Sequence, residues 1–361
     1  MAKKTPTSAL HESGSQKSAE SVNPDAAEKF KARRKIKVAE EELLAQLIEG
    51  NKTALGRAIT LIESNQPKHN NKAEILIEGA LPYAHKSIRI GITGVPGVGK
   101  STFIESFGTY LVKQGKKVAV LAVDPSSTVS RGSILGDKTR METLVKEENA
   151  FVRPSPSGES LGGVARKSRE SILLCEAAGF DVILIETVGV GQSETTVHSM
   201  TDFFLLLKLA GAGDELQGIK RGIIEMADAI VINKADGDNL KAAREAKMEF
   251  KRALNLYPTK DSGWNPKVKL CSALQNTGIS EVWDLILGYE KMIKENGYFE
   301  QHRREQNKFW MFQTIDEHLK SRFYRDPEIK EAIKIQLEAI ENNKTTAFAA
   351  AKHLINLSKN L

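Results

Sequence analysis

The feature that most constrains this chain is the octapeptide Gly94-Val95-Pro96-Gly97-Val98-Gly99-Lys100-Ser101. It fits G-x-x-x-x-G-K-[ST], follows an apolar run over residues 88–93 and opens an amphipathic stretch at Thr102. A strand, a glycine turn and a helix in that order make an anion cradle. The glycines let backbone N–H groups turn inward, and the helix N-terminus adds positive potential. The unit needs a buried strand to launch it and a helix to receive it, so it belongs to a fold of alternating strands and helices.

The rest of the chain agrees. Short apolar runs recur at residues 88–93, 118–124, 182–186, 203–207, 229–233 and 268–271, and stretches of helix length lie between them, such as 102–114, 163–178 and 241–254. The predicted fold class is α/β, a mostly parallel sheet covered by helices on both faces. Ligands in such sheets sit at the carboxyl ends of the strands, where every motif below falls. Helical spacing precedes the sheet (Leu43, Leu44, Leu47, Ile48; Leu55, Ile59, Ile62; Ile75, Leu76, Leu81). It returns after it, in one stripe of Phe309, Phe312, Ile315, Leu319 and Phe323 and another of Ile329, Ile333, Leu337 and Ile340, with a third short helix over 347–357. These last helices can pack on their own domain or against a second copy. The expected organisation is a disordered basic tail over 1–38, a helical region over 39–85, a nucleotide-binding domain over 86–290 and a C-terminal helical region over 291–361.

Charge narrows the function classes. Of 361 residues, 52 are Lys or Arg and 46 Asp or Glu, a net of +6; residues 1–38 hold nine of the former and four of the latter, so the tail carries +5 and the remainder +1. A nucleic-acid binder would spread that charge over a folded face, so none is expected as a partner. No run approaches the ~18 apolar residues of a membrane span. The tail has no apolar signal region and holds Glu12, Glu20, Asp25 and Glu28, unlike an acid-poor transit peptide. A cytoplasmic location is expected. Cys175 and Cys271 each lie in an apolar run and read as buried free thiols.

The motifs define a site. Lys100 reaches the β- and γ-phosphates of a nucleotide and the Ser101 hydroxyl binds Mg²⁺, while Gly94, Pro96, Gly97, Val98, Gly99 and Thr102 complete the cradle. Asn233-Lys234-Ala235-Asp236 ends a strand. A carboxylate at Asp236 accepts from guanine N1–H and its exocyclic amine; adenine has neither donor and would leave the acid buried and unpaired. The ligands expected are therefore GTP and GDP. Ser272-Ala273-Leu274 follows the last strand, and its backbone N–H is placed to contact guanine O6. Glu186 ends the run over 182–186 and can hold the metal shell directly or through water. Gly189 would turn its N–H to the γ-phosphate. Gln192 is a candidate for orienting the attacking water; an ordinary exposed glutamine is the other reading. Asp124 and Asp137 are further metal candidates, with turn capping as the alternative for each. The catalytic candidates are thus Lys100, Gln192 and Glu186, and the metal candidates Ser101, Asp124, Asp137 and Glu186.

Taken together, residues 58–63, 94–102, 123–127, 136–141, 186–194, 213–220 and 233–236 resemble the methylmalonyl-CoA mutase-associated GTPases, over a span from about Glu40 to the C-terminus. The 186–194 and 213–220 blocks are specific to that group. The resemblance implies a G domain with flanking helices and a homodimer through the C-terminal helices. It implies a GTPase that docks on an adenosylcobalamin-dependent acyl-CoA mutase, methylmalonyl-CoA mutase by default, gating cofactor loading and protecting the mutase from inactivation. It makes residues 186–194 the second switch and 211–220 the third, with Asp124, Asp137 and Glu186 near Mg²⁺. No arginine finger is evident, so slow turnover sped up by the partner is expected. Members of this group have been labelled transport kinases, yet no acceptor-binding base can be named here. Two alternatives remain. A hydrogenase- or urease-type metal-insertion GTPase is disfavoured by seven scattered histidines and no C-x-x-C. The other is a nucleotide switch with negligible hydrolysis.

Overall fold

The computed structural model describes residues 40–64, 66–123, 141–154, 161–187, 193–211 and 221–358. The basic tail lies outside them. Seven strands form one sheet: β1 (Ile88–Gly94), β2 (Val118–Val123), β3 (Ala150–Arg153), β4 (Val182–Thr187), β5 (Phe203–Lys208), β6 (Ala229–Ile232) and β7 (Lys267–Leu270). Their order is β3-β2-β4-β1-β5-β6-β7 and every pairing is parallel. The chain winds out to β3, returns beside β1 and then builds the other half. β1 is thus the point at which the order reverses, and ligand crevices open at the carboxyl edge of such a point.

Strand alternation divides the core. On one face Ile88, Ile90 and Ile92 of β1 join Val118 and Val120 of β2, Val182 and Leu184 of β4 and Phe203, Leu205 and Leu207 of β5. Helices α4 (Lys100–Lys113) and α9 (Ile279–Glu295) cover them, with Phe103 stacked on Phe107 at 5.4 Å and Trp283 edge-on to Phe107 at 6.0 Å. Fully burying one such ring is worth about 2–3 kcal/mol. The other face is covered in two parts. Ile183 and Ile185 of β4 pack with α1 (Glu40–Ile48), α2 (Lys52–Glu63), α3 (Pro67–Ala80) and α5 (Leu161–Ala177). Leu206, Ile230 and Ile232 pack with α7 (Arg221–Met226) and α8 (Leu240–Leu254). The short helix α6 (Ser193–His198) lies beside β4 and β1.

The leading helices are therefore part of the core. Asn51 caps α2 by accepting from Thr53 N (2.9 Å) and Ala54 N (3.0 Å), a device worth about 1 kcal/mol. Behind the sheet follow α10 (Tyr298–Arg325), α11 (Pro327–Glu341) and α12 (Ala347–Ser358). The base of α10 is tied down by Arg303, whose Nε and Nη2 donate to Asp202 Oδ1 (2.9 Å) and Oδ2 (2.7 Å), with Nη2 also on Ser87 O (2.6 Å). Arg89 forks onto Glu176 at 2.9 and 2.8 Å, and Ser87 Oγ donates to the same carboxylate at 2.7 Å. Burial alone would raise the Glu176 carboxyl, but Arg89, Arg303 and Ser87 outweigh it and hold it at about 2. This cluster is buried at the amino ends of β1 and β5.

Both cysteines are buried and free. Burial pushes the Cys175 thiol up, and takes Cys271 to about 12. Among the described residues no helix is long and apolar enough to cross a membrane.

Candidate functional site

The phosphate loop grows out of β1 and ends in α4. Two of its glycines are required by geometry. At Gly94 a Cβ would come within 2.6 Å of Leu207 O on β5, and at Gly99, held at φ +90°, within 2.9 Å of Asn233 Nδ2. Lys100 opens α4 and is buried. Its Nζ donates to Gly94 O at 2.8 Å and Val95 O at 3.5 Å, so the ammonium rests on the carbonyls of its own loop. Burial pulls the Lys100 pKa below its ordinary value, while the charges of Glu186 and Glu194 pull it back up. An arriving phosphate would strengthen the cation further, since an opposite charge nearby favours the charged form.

Sheet register delivers Glu186. Ile92 of β1 pairs with Glu186 of β4, which sets that carboxylate at the carboxyl edge beside the loop. Ser101 Oγ donates to Glu186 Oε1 at 3.3 Å. A hydroxyl and a carboxylate are hard oxygen donors, and a Mg²⁺ ion takes one or two such protein groups and fills its remaining positions with phosphate and water. The pair fits that ion. One residue further along β4, Thr187 Oγ1 donates to Thr93 Oγ1 at 2.9 Å and ties the two strand ends together.

The 233–236 segment follows β6. Asn233 is buried, and its Nδ2 donates to Val98 O at 2.9 Å while its Oδ1 accepts from Ala273 N at 3.2 Å. Lys234, at φ +55°, donates Nζ to Gly97 O at 3.0 Å. Asp236 Oδ2 accepts from Ser272 Oγ. The turn is fixed from below, because Ala235 N donates to Cys271 O at 3.0 Å. Three separate segments, 94–101, 233–236 and 272–274, are thereby gathered at one edge, with Glu186 joining the first.

The structure refines some expectations. Of the 272–274 backbone N–H groups, one of which is expected to face a base oxygen, that of Ala273 is engaged by Asn233 Oδ1, so Asn233 works as a brace between loops. Leu274 is exposed. Sequence reading placed Glu194 only within the 186–194 switch and did not foresee it buried on α6 and acting on Lys100; it missed Ser106, whose Oγ donates to Ala273 O at 2.5 Å. An acid seven residues beyond the end of β4 carries no spacing signal, and a serine inside a helix carries none either. Asp124, Asp137, Gly189 and Gln192 lie outside the described residues, as does the 212–220 segment.

A central strand, a glycine loop capping the next helix, an oxygen pair beside it and an N-K-x-D segment at the end of β6, two strands away, define a P-loop GTPase. Within that class the chain belongs to the family described as methylmalonyl Co-A mutase-associated GTPase MeaB, whose profile matches residues 55–328. GTPase ArgK of Escherichia coli is 45% identical over 302 residues, covering 84% of this chain and 91% of its own. The mitochondrial methylmalonic aciduria type A homolog of Mus musculus is 43% identical, covering 88% of this chain and 79% of its own. A crystal structure described as an LAO/AO transport system kinase superposes with a TM-score of 0.72 at 37% identity, covering 89% of this chain and 97% of that one.

Proposed function

We propose that this chain hydrolyses GTP with Mg²⁺ to guard an adenosylcobalamin-dependent acyl-CoA mutase, most directly methylmalonyl-CoA mutase, gating its cofactor loading and protecting it from inactivation. The observation that carries the nucleotide reading is the convergence of Lys100, the Ser101–Glu186 pair and the braced Asn233–Asp236 segment at one sheet edge. Family membership supports the mutase as partner.

The chemistry follows from the donors. Asp236 accepts from guanine N1–H and the exocyclic amine, with Ser272 fixing the carboxylate's orientation. Lys234 and the backbone of 272–274 border the base. Gly94, Pro96, Gly97, Val98, Gly99 and Thr102 shape the cradle. Lys100 exchanges the carbonyls of Gly94 and Val95 for β- and γ-phosphate oxygens, gaining a charged acceptor for a neutral one. Water attacks the γ-phosphorus; the new P–O bond forms as the bond to the β,γ-bridging oxygen breaks, the water's proton passes to a phosphate oxygen, and GDP and inorganic phosphate leave. Lys100 and backbone N–H groups of the loop stabilise the charge on the γ-oxygens. Ser101 and Glu186, joined by Asp124 and Asp137, would hold Mg²⁺, which would supply neutralisation of the phosphate charge. Gln192 orients the water and Gly189 contacts the γ-phosphate.

The C-terminal helices form a homodimer. On either side of the buried Trp310, α10 presents Phe309, Phe312, Ile315 and Leu319 with 46–61% of each surface exposed, a stripe a second copy would cover. The protein works in the cytoplasm.

The test is GTP turnover by the purified protein, alone and with methylmalonyl-CoA mutase from the same source. Slow basal turnover that rises with mutase, with the rise lost in Lys100→Ala, establishes site and partner together. Basal turnover with no rise keeps the site and redirects the search to other acyl-CoA mutases. No turnover in either condition refutes hydrolysis.

A further inference from the structure

The two edges of the sheet are finished differently. At β3 the start of α2 closes the edge: Lys52 Nζ donates to Glu147 O and Ala150 O, each at 3.2 Å, and Arg153 pairs with Glu63. At the far edge, among the described residues, no strand lies beyond β7. Cys271 N donates to Ile232 O, so strand alternation turns the N–H and C=O of Val268 outward.

A groove of about 670 Å³ runs along this edge between α8 and α9. Lys247 and Lys251 line it one turn apart on α8, and Lys267 and Lys269 stand two apart on β7. Among the described residues none of these four lysines is in a contact ion pair, though Lys269 joins the backbone and Ser280 hydrogen bonds in holding the Glu281 carboxyl below its ordinary value. Lys267 lies over the Trp264 ring at 5.8 Å, and Trp264 is itself fixed by Nε1 donating to Asp228 O at 2.9 Å. Glu281 and Asp284 of α9 line the groove too.

Charge selects the occupant. A second β7 would bring the same lysines and be repelled, as edge lysines commonly ensure. The chain's own 1–38 segment carries +5 and is repelled as well. A nucleic-acid backbone, uniformly negative, would meet Glu281 and Asp284. A peptide with spaced carboxylates can answer the lysines and avoid those two acids.

We propose that β7 and its groove are a docking site for an acidic, extended segment of a partner protein. The segment adds a strand to β7 through the outward Val268 groups, and its carboxylates meet Lys247, Lys251, Lys267 and Lys269. This surface is separate from the nucleotide edge, and the proposal does not rest on the mutase reading.

The probe is a short fluorescein-labelled peptide of alternating Glu and Thr, titrated against the full chain by fluorescence anisotropy. Saturable binding is expected, weakening at least about tenfold in the Lys267→Glu/Lys269→Glu protein, with GTP turnover and melting temperature unchanged. Should that variant misfold, Lys247→Glu/Lys251→Glu on α8 is expected to weaken binding likewise. A probe with alternate residues replaced by Pro, which cannot pair with a strand, is expected to bind several-fold less tightly than the parent. The proposal is overturned if the parent peptide does not bind saturably or if a folded charge-reversed protein binds it as well. Equal binding of the Pro-containing probe, or tighter binding of a thymidine oligonucleotide, also overturns it.

Discussion

At the amino ends of β1 and β5, Arg89 and Arg303 face Glu176 and Asp202 in bidentate bonds of 2.7–2.9 Å. At the carboxyl end of β1, Lys100 rests on two neutral carbonyls, and Ser101 donates to Glu186 at a long 3.3 Å. The two clusters sit at opposite ends of β1, but one is closed and the other is poised. A closed set of charges does not exchange partners without a large desolvation penalty, so it serves as a fixed mount for α10. Lys100 has partners that a phosphate can displace at little cost. The lesson is that burial of charge alone does not mark a functional site; the strength of the partners it already has separates structure from chemistry.

The comparison can be broken at either end. The largest effect is expected from Asp236→Asn, which exchanges an acceptor for a donor where guanine presents N1–H. The ratio of GTP to xanthosine triphosphate affinity should fall by about 10⁴, and unchanged GTP affinity would remove the base-reading role. At the closed end, Arg303→Met leaves Asp202 and Glu176 short of a buried cation. A loss of about 3–5 kcal/mol in denaturant unfolding is expected, with GTP affinity of the folded protein retained. The reverse signature belongs to Lys100→Ala: turnover falling about 10²–10³-fold with the melting temperature held. If Lys100→Ala also melts early, the poised end is structural after all.

Acid sharpens the contrast. Glu176 has its pKa depressed from 4.5 to about 2. Its contribution is therefore fully present above pH 4.5 and lost as pH falls through 2, a change of about 3 kcal/mol that a pH series of unfolding curves would resolve. The smallest effect lies at the β3 edge. Lys52→Met removes two bonds to backbone carbonyls, and about 1 kcal/mol should be lost, read as a small drop in the unfolding midpoint with turnover unaltered.

Much of the sheet was legible because buried parallel strands are unbroken apolar runs. Residues 182–186 and 203–207 are observed as Val182–Thr187 and Phe203–Lys208. β3 escaped because its four residues, Ala150–Arg153, form a half-buried edge with polar neighbours and no run of their own. Helix α4 begins at Lys100, two residues before the periodic stretch, because the glycine loop itself supplies the helix start. At the site, residues joined by a local motif could be read directly: the loop, Glu186 at its strand end, and the 233–236 segment. What holds them could not. The Asn233 brace spans 135 residues to Val98, and the Arg303–Asp202 fork spans 101. Such partners are set by how strands are ordered in space, and no spacing rule in one dimension reports them.

The two buried thiols give the molecule a practical property. Cys175 and Cys271 are the chain's full complement of cysteine, both enclosed and both disinclined to ionise. The native protein should therefore be silent toward maleimide and iodoacetamide reagents. A single new cysteine at Phe348, 91% exposed on α12, becomes an isolated attachment point for a spin label. One label per chain then tests the proposed pairing of two copies: a defined label-to-label distance is expected in solution, and its absence would count against the dimer.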